Sequence, residues 1–291
     1  GRAVQEYLDR RQIKKSTAVR FGMGASLDAW DVLLTAMTKK GYTKSELLDA
    51  GLVVQNKNGG LYDKFRNRLM LPVIDTRGDV VAFGSRVLDK SEPKYMNSSE
   101  TPVYSKRRVL YGLNLAKKSK RPNIILCEGN LDIVTLHQAG FDNAVASMGT
   151  ALTVEQTRLL SRFTKELVLC YDNDNAGKIA TERALQILNG SEFSVKVLQL
   201  PRRLVDGEYI KQDADDFIKL QGPDAFERLL NGSENGVEFR MAQIAGKYDL
   251  KDDEARIAYC GEVSELLASL PGAVEREIYT GRAAEAAGIT A

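Results

Sequence analysis

The spacing of apolar residues changes twice along the 291-residue chain and divides it into three regions. Residues 1–121 mix short helical and strand-like patterns. Residues 122–231 alternate apolar, strand-like runs with amphipathic helical stretches, and residues 232–291 look mostly helical. Because buried apolar strands that alternate with helices form parallel sheets with helices on both faces, the middle region predicts such a sheet. We therefore expect an α/β fold, α+β overall, with a mixed α+β subdomain before this sheet and a small helical subdomain after it.

Two stretches of the first region give more detailed predictions. "RLMLPVIDTRGDVVAFGSRVL" reads as two strands around a turn near Arg77 and Gly78. "SLDAWDVLLTAMTKKG" has helical apolar spacing, with Ser26 placed to cap its start and Gly41 placed to end it. The first region is thus expected to combine a strand pair with short helices.

The net charge of +2 conceals a strong asymmetry between the two parts of the chain. Residues 1–121 hold 24 Lys and Arg against 12 Asp and Glu, whereas residues 122–291 hold 17 against 27. An asymmetry of this kind indicates a polyanionic partner for the basic part. The acidic part correspondingly requires a cation, although solvated surface charge remains the alternative for any single residue.

Acidic residues follow the carboxyl ends of the strands predicted in the middle region. Ligands of parallel α/β sheets bind beyond these strand ends, so the acids are expected to gather at one edge. The first strand is followed by a glutamate, and by an aspartate one helical turn later. The third strand is followed by two aspartates two residues apart. The fourth strand is followed by the "QDADDF" segment. The residues are Glu128, Asp132, Asp172, Asp174, Asp213, Asp215 and Asp216.

Such a cluster of acids has limited chemistry. Two carboxylates about 4 Å apart repel by about 4 kcal/mol at a surface-like dielectric, so solvent, protonation, a basic partner or a metal ion must relieve them. Hard cations such as Mg²⁺ take oxygen ligands, and a pair of them supports phosphoryl transfer. For any single acid, capping of the following helix is an equally good interpretation. For the whole set, the sequence favours a metal site.

Other classes of site are poorly supported. His137, the one histidine, lies in a predicted amphipathic helix, where we expect packing at the surface or boundary rather than catalysis. Cys127, Cys170 and Cys260 are too few and too dispersed for a disulfide framework or a zinc site. The sequence shows neither a signal-peptide pattern nor an apolar run long enough to span a bilayer, so we expect a protein of the reducing cytoplasm.

Several motifs resemble those of a known family. "CEGNLDIVTLHQAGFDNAVASMG", "YDNDNAGKIATERAL" and "QDADDF" resemble the Toprim domain of primases, topoisomerases and some nucleases. Upstream, "YDKFRNRLMLPVIDTRGDVVAFGSRVL" and "PKYMNSSETPVYSKRRVLYGL" look like the basic subdomain of bacterial DNA primases. The resemblance covers nearly the whole chain. It implies the RNA polymerase core of a primase, with a basic subdomain at 1–121, a Toprim catalytic domain at 122–231 and a helical subdomain at 232–291.

The resemblance also implies roles for individual residues and cofactors. The catalytic and metal-binding residues would be Glu128, Asp172 and Asp174, with Asp213 and Asp215 as further metal ligands and Asp132 in support. Template and incoming nucleotide would be bound by Arg86, Lys94 and Lys106. The expected cofactors are two or more Mg²⁺ or Mn²⁺ ions, with no zinc in this part of the protein.

The activity that the resemblance implies is the DNA-templated synthesis of short RNA primers at the replication fork. The expected partners are a single-stranded DNA template, ribonucleoside triphosphates and an RNA–DNA primer duplex. The family also has a zinc-binding domain and a helicase-binding domain, and this sequence shows neither, so we expect the replicative helicase to bind through a domain absent here. A Toprim-type nuclease or topoisomerase-like enzyme is the alternative function, and a non-catalytic nucleic-acid clamp is a third hypothesis.

Overall fold

The computed structural model describes residues 1–149, 151–205 and 207–290. Its first region is built around a four-stranded antiparallel sheet in the order β1-β4-β5-β6. The elements of this region are α1 (Arg2–Arg10), α2 (Lys15–Arg20), β1 (Gly24–Ser26), α3 (Val32–Lys39), α4 (Lys44–Asp49), β2 (Val53–Gln55), β3 (Leu61–Asp63), β4 (Arg68–Ile74), β5 (Val80–Val87), β6 (Tyr95–Asn97) and α5 (Leu113–Ala116). The predicted strand pair around Gly78 is confirmed, because β4 and β5 pair antiparallel over their length.

The start of α3 differs from the prediction. Ser26 lies in β1 opposite Arg68 and does not cap a helix. Instead the carboxylate of Asp63, at the end of β3, accepts hydrogen bonds from the backbone N–H groups of Leu33 and Leu34 at 2.7 and 2.9 Å. A helix start leaves its first N–H groups without intrahelical partners, and any suitably placed acceptor can satisfy them. Here the acceptor comes from a distant strand rather than from the preceding residues.

The middle region contains the predicted sheet, five strands in the order β13-β10-β9-β7-β8. Strands β10, β9, β7 and β8 run parallel, and the short β13 adds one antiparallel edge. The elements are β7 (Asn123–Cys127), α6 (Asn130–Gln138), β8 (Ala144–Ala146), α7 (Val154–Leu160), β9 (Glu166–Leu169), α8 (Asn175–Leu188), β10 (Ser194–Val197), β11 (Arg203–Val205), β12 (Glu208–Ile210), α9 (Ala214–Gln221), α10 (Pro223–Asn231) and β13 (Glu234–Asn235).

Both faces of this sheet are buried, as its apolar strands require. Alternate residues of one strand enter different cores: Ile125 joins the core that contains α6 and α9, and Leu126 joins the core that contains α7 and α8. The first core also includes Leu69 of β4, so the antiparallel sheet shares it. Cys127 and Cys170 are buried there as free thiols.

The third region is helical, with α11 (Gly236–Ala245), α12 (Asp253–Ala268) and α13 (Ala273–Ala287) around a separate small core. Within the described residues, no helix combines the length and the apolar character needed to cross a membrane.

Candidate metal centre and active site

The acidic residues that follow β7 and β9 lie at the same edge of the sheet. These strands are parallel neighbours, so their carboxyl ends meet. The backbone N–H of Asp172 donates a hydrogen bond to Oε1 of Glu128 at 3.3 Å. The strand assignment made from the sequence therefore places both residues correctly relative to each other.

A cleft of about 430 Å³ opens at this edge, between the sheet and the basic first region. Acids line the cleft together with residues of β6 and with Arg11, which directly follows α1. Among the residues that line it are Glu128, Asp132, Asp172, Asp213, Asp215, Lys94 and Arg11. The cleft thus brings together side chains from segments that are far apart in the sequence.

Asp172 and Asp174 are joined by a cation that the sequence analysis did not identify. Nζ of Lys211 lies 3.1 Å from Oδ2 of Asp172 and 2.9 Å from Oδ2 of Asp174. The other oxygen of Asp174 accepts the backbone N–H of Gly177 at 2.8 Å and so caps α8. The sequence left open whether Asp174 caps a helix or belongs to the acidic group. In the structure it does both.

The three aspartates of the "QDADDF" segment form a tight group. Asp213, Asp215 and Asp216 each place a carboxylate oxygen within 4.8 Å of the others. Asp213 also caps α9, because its Oδ1 accepts the backbone N–H of Asp216 at 2.7 Å. In the part of the chain that the structure describes, no other trio of potential ligands meets this distance. The group is consistent with divalent-cation binding, because hard cations prefer carboxylate oxygens.

Asp215 is the most buried of these acids, with 3% of its side chain exposed, and its carboxylate is well satisfied. Oδ2 accepts from Arg11 at 2.8 Å and from Lys219 at 2.5 Å, and Oδ1 accepts from the hydroxyl of Thr135. The backbone N–H of Asp215 donates to Oδ1 of Asp132 at 3.2 Å. Asp215 therefore links α6 and α9 to the residue that follows α1, in addition to its place in the acidic trio.

Burial and mutual repulsion raise the pKa of several acids in the cleft. Loss of surrounding water and the charge of Asp172 raise the pKa of Glu128. Burial raises the pKa of Asp132 well above its usual range, with Asp213 adding repulsion, and burial likewise raises the pKa of Asp213. Asp174 is the exception, because its bond from the Gly177 N–H and the ammonium of Lys211 lower its pKa. A bound cation would relieve the repulsion that these shifts reflect.

The basic residues implied by the family resemblance occupy different positions relative to the cleft. Lys94 lines it, beside Tyr95. The guanidinium of Arg86 lies between the rings of Tyr7 and Tyr95, 5.2 and 5.3 Å from their centroids. Lys106 is not among the lining residues; it lies near Lys64, whose pKa is lowered by burial and by the charge of Lys106.

Lys211 and Arg11 are the site residues that the sequence analysis missed. Lys211 is two residues before Asp213, and a lysine directly beside an acidic motif is the signal that could have been used. Arg11 offers no comparable signal, because it meets Asp215 across 204 positions of sequence.

Three family models match the chain. Residues 1–117 match the N-terminal domain of the DNA primase catalytic core, and residues 125–218 match a Toprim-like domain. Residues 237–291 match a model described as the DnaB-helicase binding domain of primase. The last match corrects the expectation that any helicase-binding segment lies outside this chain. The apolar pattern of this region showed helices but carried no motif that identifies a partner.

Similar proteins agree with these matches. The DNA primase of Clostridium acetobutylicum is 42% identical over 99% of this chain and 47% of its own length, and that of Haemophilus influenzae is 36% identical over 94% and 46%. The chain thus spans about half the length of these curated relatives. A DnaG primase catalytic domain bound to single-stranded DNA superposes with a TM-score of 0.85 at 32% identity, covering 99% of this chain and 90% of that one. The catalytic core of the E. coli primase gives 0.84 at 32%, covering 99% and 91%.

Proposed function

The chain belongs to the bacterial DNA primase family, and we propose that it carries out that family's polymerase chemistry, the DNA-templated synthesis of short RNA primers from ribonucleoside triphosphates. The observation that carries this proposal is the cleft in which acids from the carboxyl ends of a parallel sheet face basic residues of the first region. Growth of a primer joins the 3′-oxygen to the α-phosphate of the incoming nucleotide and releases pyrophosphate. Such a reaction needs acidic residues that bind metal cations, and beside them a basic surface that binds the nucleic acid.

The donor set fits divalent metal ions. The candidate ligands Glu128, Asp172, Asp174, Asp213 and Asp215 offer only carboxylate oxygens, which suit Mg²⁺ or Mn²⁺ better than zinc, whose sites use mainly Cys and His. Two such ions, when bound, stabilise the attacking and leaving oxygens of a phosphoryl transfer. In this assignment Asp132 is a supporting residue, because its Oδ1 accepts the backbone N–H of Asp215.

The nucleic-acid partners follow from the charge of the first region. Arg86, Lys94 and Lys106 would hold the single-stranded template and the incoming nucleotide, and an RNA–DNA duplex would form as the primer grows. One similar structure is a primase catalytic domain bound to single-stranded DNA, which supports a DNA partner for this chain. The match of residues 237–291 supports contact with the replicative helicase at the fork.

The same proposal divides the chain into a basic subdomain at 1–121, a Toprim catalytic domain at 122–231 and a helical subdomain at 232–291. The ranges of the three matching family models support this division. A Toprim-type nuclease is the weaker candidate, because relatives that span the whole chain are named DNA primases.

Substitution of Asp172 by Ala tests the proposal. Loss of an oxygen ligand should reduce Mn²⁺- or Mg²⁺-dependent primer synthesis on single-stranded DNA by about a hundredfold or more, since metal ions contribute several kcal/mol to such transition states. Binding of single-stranded DNA should change little, because the basic residues are intact. Stability of the metal-free protein should not fall greatly, because one repelling charge is removed together with its ion pair.

Asp174→Asn is a second variant for this assay, since an amide oxygen can still cap α8. Near-normal synthesis by both variants would contradict the metal assignment. Cleavage of the DNA template by the wild type, without incorporation of labelled ribonucleotides, would favour the nuclease alternative instead.

A further inference from the structure

Lys211 has an unusual position for a surface lysine. A single ammonium group bridges the carboxylates of Asp172 and Asp174, while 56% of the side chain remains exposed to solvent. The bridge balances part of the negative charge at the acidic edge. This is the place where, in the proposed function, the same two carboxylates hold a divalent cation.

We propose that Lys211 is a resident counter-cation of the acidic pair, which a divalent metal ion must displace in order to bind there. The inference rests on the proposed function, because it assumes that Asp172 and Asp174 are metal ligands. If they are, the ammonium group of Lys211 and the divalent metal ion compete for the same two carboxylates. Metal affinity is then set partly by a residue that does not bind the metal.

The physical properties of the pair make this exchange feasible. Lysine is a compact charge on a flexible stem, so it can leave without moving the backbone. Ion pairs that are open to solvent contribute little net free energy, so a doubly charged ion held by the same oxygens can replace the ammonium group. The competition therefore lowers metal affinity moderately without blocking the site.

Displacement of Lys211 also has a structural consequence. Lys211 directly follows β12, the second strand of the β11–β12 hairpin. The other end of the hairpin is held to the same acidic loop, because Nδ2 of Asn173 donates to the carbonyl oxygen of Leu200 at 3.0 Å. Exchange of Lys211 for a metal ion would release one of these two attachments and keep the other. The hairpin would then gain mobility at the edge of the cleft while the fold is retained.

The test is a Mn²⁺ titration of the metal-free protein without DNA or nucleotide, followed by electron paramagnetic resonance of free Mn²⁺. Lys211→Ala should bind Mn²⁺ about three- to tenfold more tightly than wild type, and Lys211→Arg should resemble wild type because it keeps the charge. Lys165→Ala is the matched control. Lys165 also pairs with a glutamate, Glu192, but it precedes β9 and so lies at the opposite edge of the sheet. Its loss should leave the affinity unchanged.

The outcomes separate this inference from the proposed function. If Asp172→Ala binds Mn²⁺ as well as wild type does, the metal site itself is wrongly assigned, and the inference fails with it. If Asp172→Ala loses affinity but Lys211→Ala shows none of the expected gain, the metal site stands and only the role of Lys211 is refuted. A gain that appears equally in Lys165→Ala would reflect overall charge and would also overturn the inference.

Hydrogen exchange gives an independent readout. In wild type, saturating Mn²⁺ should accelerate amide exchange in β11 and β12, because the attachment at Lys211 is released. In the Lys211→Ala variant, amide exchange in β11 and β12 should already be fast without Mn²⁺. Addition of Mn²⁺ should change it little. Slower hairpin exchange on Mn²⁺ addition to wild type would contradict displacement, since it would mean that the metal ion tightens this segment with Lys211 in place.

Discussion

At the scale of single residues, His137 shows how burial decides the role of a titratable group. Only 4% of the residue is exposed, and its Nε2–H donates to the carbonyl oxygen of Ala144 at 2.9 Å. The ring packs edge-on against Phe21, with 5.1 Å between centroids. Burial lowers the pKa of His137 to about 4. The prediction that this residue is not catalytic agrees with its position in the core, although we expected it nearer the surface.

This burial predicts a pH dependence of stability. The unfolded chain takes up a proton on His137 near pH 6.5, whereas the folded protein resists protonation until about pH 4. The contribution of the neutral, buried His137 to the free energy of unfolding is therefore fully present above about pH 6.5. It is lost as the pH falls towards 4. At pH 5 the loss due to this group is about 2 kcal/mol. Urea unfolding of wild type and His137→Gln between pH 7.5 and 5 should show the wild type losing more stability than the variant. Parallel curves would mean that the folded protein accepts the proton freely.

At the scale of elements, the start of α8 approaches the acidic loop very closely. Gly177 lies in the first turn of α8, and a Cβ atom placed on it would lie 1.9 Å from the carbonyl oxygen of Asp172. The backbone of the loop can fold back onto the helix because glycine lacks this atom. The position of Asp172 at the cleft thus depends on the residue type at 177.

Gly177→Ala should therefore destabilise the protein by about 1–3 kcal/mol, because backbone and not a flexible side chain must move. It should also weaken Mn²⁺ binding, since Asp172 is displaced. Gly261→Ala is the control, because Gly261 lies within α12 with open space around its Cα. There the same change should stabilise by about 0.5–1 kcal/mol, as expected for a helix interior. Thermal unfolding and Mn²⁺ titration measure both effects, and equal behaviour of the two variants would contradict the close approach.

At the scale of the whole molecule, residues of the basic first region and acids of the parallel sheet line one cleft. Arg11, which directly follows α1, pairs with Asp215, and Lys94, which directly precedes β6, lines the same space as Glu128. The backbone N–H groups of Lys94 and Lys106, not their ammonium groups, bond to the nearby acids Glu92 and Glu100. Within the described residues no ion pair involves either ammonium group.

The basic residues Arg86, Lys94 and Lys106 of the first region predict a salt dependence of DNA binding. Each phosphate contact on a single strand contributes about 0.7 to the slope of log affinity against log salt concentration, so three contacts contribute about two. Replacing Arg86, Lys94 and Lys106 singly by Ala should reduce the slope stepwise and with little sequence dependence, because phosphates carry no sequence information. Titration of labelled single-stranded DNA at several salt concentrations measures this.

Lys165→Ala, at the far edge of the sheet, should retain the wild-type slope. A variant with an unchanged slope but a raised nucleotide requirement would assign that residue to the incoming nucleotide. If all three variants keep the wild-type slope, affinity and nucleotide use, these residues are ordinary surface charge.

The sequence by itself determined the parallel sheet, the edge on which Glu128 and Asp172 meet, and the family. These features follow from local patterns, since strand periodicity fixes which residues are buried, and a parallel topology brings carboxyl ends together wherever the strands lie. The charge asymmetry could likewise be read directly, because it depends on composition alone. The DNA primase relatives and solved catalytic cores confirm the family that the motifs indicated.

Only the tertiary structure decided which side chains form ion pairs and hydrogen bonds with one another. The bridge by Lys211, the pairing of Arg11 with Asp215 and the capping of α3 by Asp63 each join segments that are separate in the chain. Local pattern cannot specify such contacts, because they depend on the distance and orientation between elements after packing. The same holds for the pKa of His137, which is lowered by a core that forms only when α6 packs against the first region.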